Sequence, residues 1–297
     1  MSTVKLSYIL TTFNKLPYLS ITLPLLMAAR QNDEEIVVVD GGSNDGSAAY
    51  LEKLFRENKI QQFVSEQDSG EAHGLNKACL LAKGELVKII TDDDVFDFRV
   101  IQHCKQFMLG NRSIDILAYD GYSCRISTHP KFELSHYAEA YRNWQKSSRA
   151  FLFCGLSFMI RRSSLSLLGL FSTAYKIVDM EYSLRVSSLH AKIAFYNGPG
   201  FVNLVNPASN SVKFYERLRE EYKMLRRAYP RARINFRLNN PSLLIKEKLN
   251  MLLRKHDPSV SLPDEKVKEL YLKLIQDSLH KLAESHPEQQ RILVPFS

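Results

Sequence analysis

An α/β fold, with a mostly parallel sheet flanked by helices and a helical C-terminal extension, is what this sequence predicts. Three observations carry the prediction. Over the first 120 residues, apolar β-branched runs alternate with helix-like stretches at the spacing of βαβ units. Runs such as Ile36-Val37-Val38-Val39 are continuously apolar, which suits strands covered on both faces. After Ser211 the apolar residues take up helical spacing on a basic background. A chain of 297 residues, 45% hydrophobic and 24% charged, can bury one large core and carry an appendage, divided here as 1–210 and 211–297.

The strands expected in order are KLSYILTT (5–12), EIVVVD (35–40), IQQFVS (60–65), ELVKIIT (85–91) and SIDILAY (113–119). Helices are expected between them at Leu16–Ala29, Ser47–Asn58, Ala72–Ala82 and Phe98–Leu109. From 120 to 210 the pattern offers only short strand candidates, FLFCGLSFMIRR, KIAFYNG and GFVNLV, and one helix starting near Asp179. SVKFYERLREEYKMLRRAYP then spaces Val212, Tyr215, Leu218, Tyr222 and Leu225 along one helical face and stops at Pro230. A further helical stretch is expected at 241–255, and one more charged helix with a tail from about Leu262.

The net charge of +8 is concentrated. Residues 211–255 hold 13 Lys and Arg against 4 Glu, so the rest of the chain is close to neutral. A basic amphipathic segment of this kind either packs on the main domain with a solvated face or lies on an anionic membrane surface. The longest apolar stretches, FLFCGLSFMI among them, are far short of a membrane span. The N-terminus runs straight into a strand pattern without signal-peptide anatomy, and the four widely spaced cysteines form no C-x-x-C pair. Both fit a reducing cytoplasm and argue against a zinc ribbon or disulfide scaffold.

Open parallel sheets bind ligands beyond the carboxyl ends of their strands. Those ends read Thr11-Thr12-Phe13-Asn14, Asp40-Gly41-Gly42-Ser43-Asn44-Asp45-Gly46-Ser47, Glu66-Gln67-Asp68-Ser69-Gly70 and Asp92-Asp93-Asp94. Any one loop is explained by turns and helix caps, and Asp45 before Gly46 is read that way. Four such loops on one edge favour a site. Gly41 and Gly46 have P-loop separation, but Ser47 and Ala48 stand where Lys and Ser/Thr belong. Phosphate charge must therefore be met another way. The aspartate triplet supplies it, because Mg²⁺ or Mn²⁺ binds through one or two carboxylates together with substrate phosphates.

SYILTTFNK, VVVDGGSNDGS, SEQDSGEAHGLNKACLLAKGE and IITDDDVF stand in the order and spacing of family-2 glycosyltransferases with the GT-A fold, and the chain most resembles bacterial enzymes that build surface polysaccharides. The resemblance is close over about the first 100 residues and continues more weakly to about Ser211. It implies a GT-A domain over 1–210 that binds a nucleoside-diphosphate sugar, with a divalent cation, and transfers the sugar to a glycan or polyprenyl-diphosphate-linked acceptor. It puts Thr11, Asn14, Asp40 and Asp68 at the nucleoside. Of the triplet, it assigns the metal to Asp94 or Asp93, with Asp94 favoured and Asp92 toward the ribose or sugar. Asn76 matches a recurrent position that contacts the donor or pins its loop.

The resemblance also implies a catalytic base at the start of a helix. GLFSTAYKIVDMEYSLRV places Asp179 there, with Glu181 as fallback and Arg185 six residues on. Asp179 also suits a helix N-cap, and the two roles are compatible. His73 is either a polar helix residue or a sugar contact; Trp144, in HYAEAYRNW, is either core or acceptor-facing. Two other classes fit less well. A sugar-nucleotide nucleotidyltransferase needs a Gly-rich basic loop after the first strand. A nucleic-acid-binding protein would not place carboxylates at four strand ends, so no nucleic-acid partner is expected.

Overall fold

The alternating runs fold into one sheet with helices on both faces in a computed structural model. It describes residues 3–126, 129–147, 149–206, 214–230, 232, 264–285, 287 and 290–295. The first strands are β1 (Leu6–Thr12), β2 (Glu34–Asp40), β3 (Gln62–Ser65), β4 (Leu86–Ile90) and β5 (Val95–Phe96). They are followed by β6 (Ile116–Arg125), β7 (Glu133–Leu134), β8 (Phe158–Arg161), β9 (Ile193–Val205) and β10 (Ile292–Leu293). The main order is β3-β2-β1-β4-β8-β6-β9-β10, with β5 paired to β9 and β7 to β6. β1 runs parallel to β2 and β4, β2 to β3, and β6 to β9, while β8 lies antiparallel between β4 and β6.

Period-two alternation along each strand feeds two cores. Ile9, Val37, Val39, Val87 and Ile89 face one side. There they meet Leu75 and Ala78 of α3 (Glu71–Leu81), Tyr141 and Trp144 of α5 (Tyr137–Ser147), and Tyr182 and Val186 of α7 (Val178–Ser188). Tyr8, Leu10, Ile36, Val38 and Leu86 face the other side. Their partners come from α1 (Leu16–Ala29), α2 (Ser47–Arg56) and α4 (Phe98–Gly110). Continuous apolar strands thus reflect burial on both faces.

The middle of the chain departs from expectation. KIAFYNG and GFVNLV are one strand, β9, because Asn197-Gly198-Pro199-Gly200 is absorbed as an irregularity where β6 and β9 shift register around Asp120. Read locally, a Gly-Pro-Gly segment signals a turn. Only Phe158–Arg161 of FLFCGLSFMIRR is strand. The stretch holding Trp144 is a helix whose Trp144 is buried, its Nε1 donating to the Ser187 carbonyl at 3.1 Å. Of its two readings, Trp144 takes the core one.

The short α6 (Leu165–Leu168) precedes α7, and beyond 213 the structure describes α8 (Tyr215–Ala228) and α9 (Asp264–Ala283). Leu218, Tyr222 and Leu225 of α8 pack with Ala150, Ile177 and Leu184, so its apolar face is covered by the main domain. Its basic face is solvated and carries Arg217–Glu221, Arg219–Glu216 and Lys223–Glu220 pairs. The helix expected at 241–255 lies outside the described residues, as do 211–213. α9 docks against β5 and β9, and β10 extends the sheet beside β9. Among the described residues no helix is long and apolar enough to cross a membrane, and all four cysteines are free thiols.

One buried ion pair holds α4 on the sheet. Lys105 Nζ, fully buried, donates to Glu34 Oε1 at 2.8 Å and to Asp33 Oδ1 at 2.7 Å. Removing one member of a buried pair strands the other's charge in a low dielectric. Lys105→Ala should cost about 3–5 kcal/mol in urea unfolding, far more than Lys53→Ala, whose pair with Glu57 is exposed.

Candidate active site

Strand ends β1, β2, β3 and β4 meet on one edge, and the aspartate triplet is the loop between β4 and β5. Pairing of Val95 and Phe96 with Val202 and Phe201 holds the far end of that loop to β9. All three carboxylates are buried, and each has a different set of partners. Asp92 Oδ2 accepts from Thr12 Oγ1 at 2.7 Å. Asp93 Oδ2 accepts from Lys15 Nζ and, at 2.8 Å, from Asn206 Nδ2. Asp94 Oδ1 accepts the Leu204 N–H at 2.6 Å, and its Oδ2 accepts from Thr91 Oγ1 at 2.6 Å. The backbone of the loop is also held: Thr22 donates to the Asp92 carbonyl at 2.8 Å and Tyr271 of α9 to the Asp93 carbonyl at 3.0 Å.

The electrostatics follow from this crowding. Burial, and then the Asp93 charge, pushes Asp92 up to about 7. The same two causes hold Asp94 well above the usual carboxylate range. Burial pulls the Lys15 ammonium down, but the charges of Asp92 and Asp93 outweigh it and the net shift is upward. Asp94 spends both oxygens on β9 and Thr91. Asp92 and Asp93 each keep one oxygen outside these bonds. Among the described residues no group of three or more His, Cys, Asp or Glu is arranged to hold a metal alone. The two oxygens of Asp92 and Asp93 outside these bonds match, in number and chemistry, the one or two carboxylates a hard cation takes when phosphate oxygens and water complete its shell.

Asp68 forms the next wall. A Cβ on Gly41 would come within 3.0 Å of Asp68 Oδ2, and one on Gly74 would lie 2.9 Å from Thr11 Cγ2 and 3.2 Å from Asp68 Oδ2. The two glycines make room for this carboxylate beside Thr11, while the Gly70 N–H donates to Asp68 Oδ1 at 2.7 Å. Asp40 is fully buried and turned into its own loop, accepting from Ser43, from the Gly42 and Ser43 N–H groups and from Ser65 Oγ at 2.6 Å. Asn14 braces the same loop, its Oδ1 accepting the Asn44 N–H at 2.9 Å. Asp45 shapes the turn as read, accepting the Leu16 and Ser47 N–H groups.

Asp179 opens into a cleft lined by Glu71, Leu75, Ile89, Thr91, Gly155, Leu156, Phe171 and Val178. It sits in the first turn of α7, with Ile177 at the cap position. Its Oδ2 accepts the Gly155 N–H at 3.0 Å and its Oδ1 the Met180 N–H at 2.8 Å. Burial holds its carboxyl above the ordinary range against these bonds. The Gly155 turn is fixed from beneath by Lys88, fully buried in β4, whose ammonium donates to the Leu156 carbonyl at 2.8 Å. Burial brings that ammonium down to about 7. Glu221 of α8 accepts the Lys176 and Ile177 N–H groups at 2.6 and 3.1 Å and so buttresses the start of α7.

Other expected residues serve the frame. Glu181 pairs with Arg185 at 2.9 Å, and Arg185 ties down the Leu168 and Leu170 carbonyls. Asn76 bridges both backbone groups of Phe171 at 2.8 Å, which sets one wall of the cleft. His73 Nδ1 accepts the Ser69 N–H at 3.1 Å. Lys15, Thr12, Thr91, Glu71 and Gly155 were not singled out from the sequence. For Lys15 a signal existed: it ends SYILTTFNK, and the triplet needs a counter-charge. Gly155 and Asn206 carried none.

The family model described as glycosyl transferase family 2 matches residues 7–169. Among curated proteins, an uncharacterized glycosyltransferase of Nostoc sp. is 32% identical over 95 residues, 31% of this chain and 29% of that protein. A second uncharacterized glycosyltransferase, from Mycoplasma genitalium, is 26% identical over 141 residues, 43% of this chain and 47% of its own length. These matches thus span less than half of each curated relative. Among solved structures, the Pyrobaculum calidifontis mannosyltransferase PcManGT in complex with GDP-Man and Mn²⁺ has a TM-score of 0.55 at 19% identity, covering 75% of this chain and 64% of that one. S. aureus TarS 1–349 in complex with UDP-GlcNAc has a TM-score of 0.55 at 17% identity, covering 94% and 81%. At such identities the structures share the fold.

The triplet yields a prediction with two signs. Asp94→Ala removes a buried charged acceptor and frees the Leu204 N–H, and should cost about 2–3 kcal/mol. Asp92→Asn removes one of three mutually repelling buried charges while leaving Thr12 an acceptor, and should raise stability by roughly 1 kcal/mol. Urea melts of the two variants at pH 8 check the contrast.

Proposed function

This chain belongs to glycosyl transferase family 2, and from that premise we propose that it moves a sugar from a nucleoside-diphosphate donor to an acceptor hydroxyl with inversion. The observation that carries the proposal is that Asp179 and Thr91 line one cleft, and Thr91 is the residue immediately before the aspartate triplet. A base and the start of a diphosphate-binding loop then border one cleft, which a single displacement at the anomeric carbon needs. Asp179 takes the acceptor's proton as the hydroxyl attacks. The Gly155 N–H and Met180 N–H fix its carboxylate, and burial gives it a basicity above that of an exposed aspartate.

In place of Asp94, which the sequence resemblance favours but whose two oxygens already accept from Leu204 and Thr91, Asp92 and Asp93 are our assigned ligands of the divalent cation, Mn²⁺ or Mg²⁺. When bound, the ion supplies Lewis-acid stabilisation of charge on the departing diphosphate. Thr11, Asn14, Asp40 and Asp68 shape and line the nucleoside side, with Asp68 the carboxylate set between Gly41 and Gly74 beside Thr11. That PcManGT was solved with GDP-Man and Mn²⁺, and TarS with UDP-GlcNAc, supports a nucleotide-sugar donor. The catalytic unit is residues 1–210, and 211–297 is its helical extension. The acceptor is a glycan or polyprenyl-diphosphate-linked saccharide of cell-surface polysaccharide synthesis.

Such an acceptor is made at a membrane surface, and the solvated basic face of α8 suits peripheral contact with anionic lipid on the cytoplasmic side. Because the apolar face of α8 is packed on the domain, that contact is electrostatic rather than inserted. Binding to phosphatidylserine vesicles should therefore fall steeply between low and physiological salt. It should drop again on charge reversal at Arg226 and Arg227; salt-independent co-sedimentation would remove this part of the reading.

For the base, Asp179→Asn should lower transfer by about 10²–10⁴-fold, measured across a panel of sugar nucleotides. The thermal shift given by the matching nucleoside diphosphate with Mn²⁺ should persist. Since the raised Asp179 carboxyl must be ionised to act, kcat/KM should fall on acidification at a pH above the ordinary aspartate value of about 4. Undiminished transfer by the variant would refute the assignment.

A further inference from the structure

We infer that Lys15 is the internal counter-ion of the cation site: in the donor-free protein its ammonium occupies Asp92 and Asp93, and a divalent ion enters only as that ammonium leaves. The inference rests on the transferase reading above. Lys15 is 9% exposed, and its Nζ donates to Asp93 Oδ2 while lying 3.9 Å from Asp92 Oδ1. Among the described residues it is the cation paired with the triplet. Its partners are the two carboxylates with an oxygen to spare, not Asp94. Lysine and metal therefore compete for the charge of the same two carboxylates, and two cations on one buried carboxylate pair repel strongly.

The exchange needs only a side-chain movement. The Lys15 carbonyl accepts the Tyr18 and Leu19 N–H groups at 3.0 and 2.9 Å, which fixes the backbone at the head of α1. The flexible four-carbon stem is free to swing from that anchor, with the Tyr18 ring centroid 5.3 Å from Nζ. An ammonium displaced at this strand end remains beside the edge where a diphosphate would bring its negative charge. Donor and cation should then favour each other's entry, a coupling that is reciprocal by linkage. Lys15 acts here through Asp92 and Asp93 as a positioning residue.

The test is Mn²⁺ affinity, read from the electron paramagnetic resonance signal of free Mn²⁺, without nucleotide and with UDP and GDP in turn. The full chain is compared with Lys15→Met and Lys15→Arg. Lys15→Met should bind Mn²⁺ at least tenfold more tightly than the unmodified chain without nucleotide, and should gain less when nucleotide is added. Lys15→Arg, which keeps the charge, should stay near the unmodified chain. If Lys15→Met does not fold, Lys15→Gln keeps a hydrogen bond to Asp93 without the charge and is held to the same expectation. Nucleotide-free Mn²⁺ affinity equal to or weaker than that of the unmodified chain overturns the inference, and does so alone when calorimetry still finds UDP or GDP bound. Failure of every protein to bind either nucleotide would instead overturn the transferase reading beneath it.

Discussion

Seating three adjacent carboxylates in a buried loop is the constraint on which the rest of this structure depends. Unpaired, they would drive the loop into solvent, because buried like charges are far more costly than exposed ones. The fold meets the constraint by giving each aspartate a different kind of partner: a hydroxyl from β1, an ammonium from the head of α1, and a backbone N–H from β9. These partners are distant in sequence and adjacent only because β1 neighbours β4 and because β5 pairs with β9. Sheet order is thus an electrostatic requirement as well as a packing one. Tyr271, reaching the Asp93 carbonyl from α9, draws the C-terminal extension into the same task.

The second wall of the cleft is built by a comparable relay. Lys88 holds the Leu156 carbonyl, the Gly155 N–H holds Asp179, and Glu221 holds the start of the helix that carries it. Each link is a backbone group fixed by a charged or polar side chain, which gives the carboxylate little freedom to turn away. Preorganisation of this kind is what the proposed base would need in order to act without reordering in the reaction. It also explains a fully buried lysine in β4. Lys88 interrupts an apolar strand, but two carbonyls and the faces of Phe96 and Tyr119 receive it.

Much of the frame was legible because it depends on short-range pattern. The βαβ alternation placed β1 to β4 and their helices to within a few residues, since two-sided burial leaves an unbroken apolar record such as EIVVVD. The strand-end rule drew attention to the edge where β1, β2, β3 and β4 end together. What sequence could not resolve was the direction in which each polar residue faces. Asp40, Asn14 and Asn76 stand in site motifs, yet their side chains brace loops, and Trp144 packs in the core. Nor could local reading join β9 through Gly198-Pro199-Gly200, because the irregularity is stabilised by pairing with β6 on a distant part of the chain.

The difference between bracing and lining suggests how such motifs should be read. A strand-end loop must first hold its own shape against exposed backbone donors, and short acids and amides do this well. Only residues left over from that task can meet a ligand. In the triplet the leftover oxygens belong to Asp92 and Asp93; beside β1, glycines at 41 and 74 leave room around Asp68; at α7, Asp179 reaches the cleft while Glu181 is bound to Arg185. The same logic singles out Lys15, a cation paired with Asp92 and Asp93, the two carboxylates that keep an oxygen for a divalent ion. A motif therefore marks where chemistry is housed, and the hydrogen-bond inventory divides its residues between housing and chemistry.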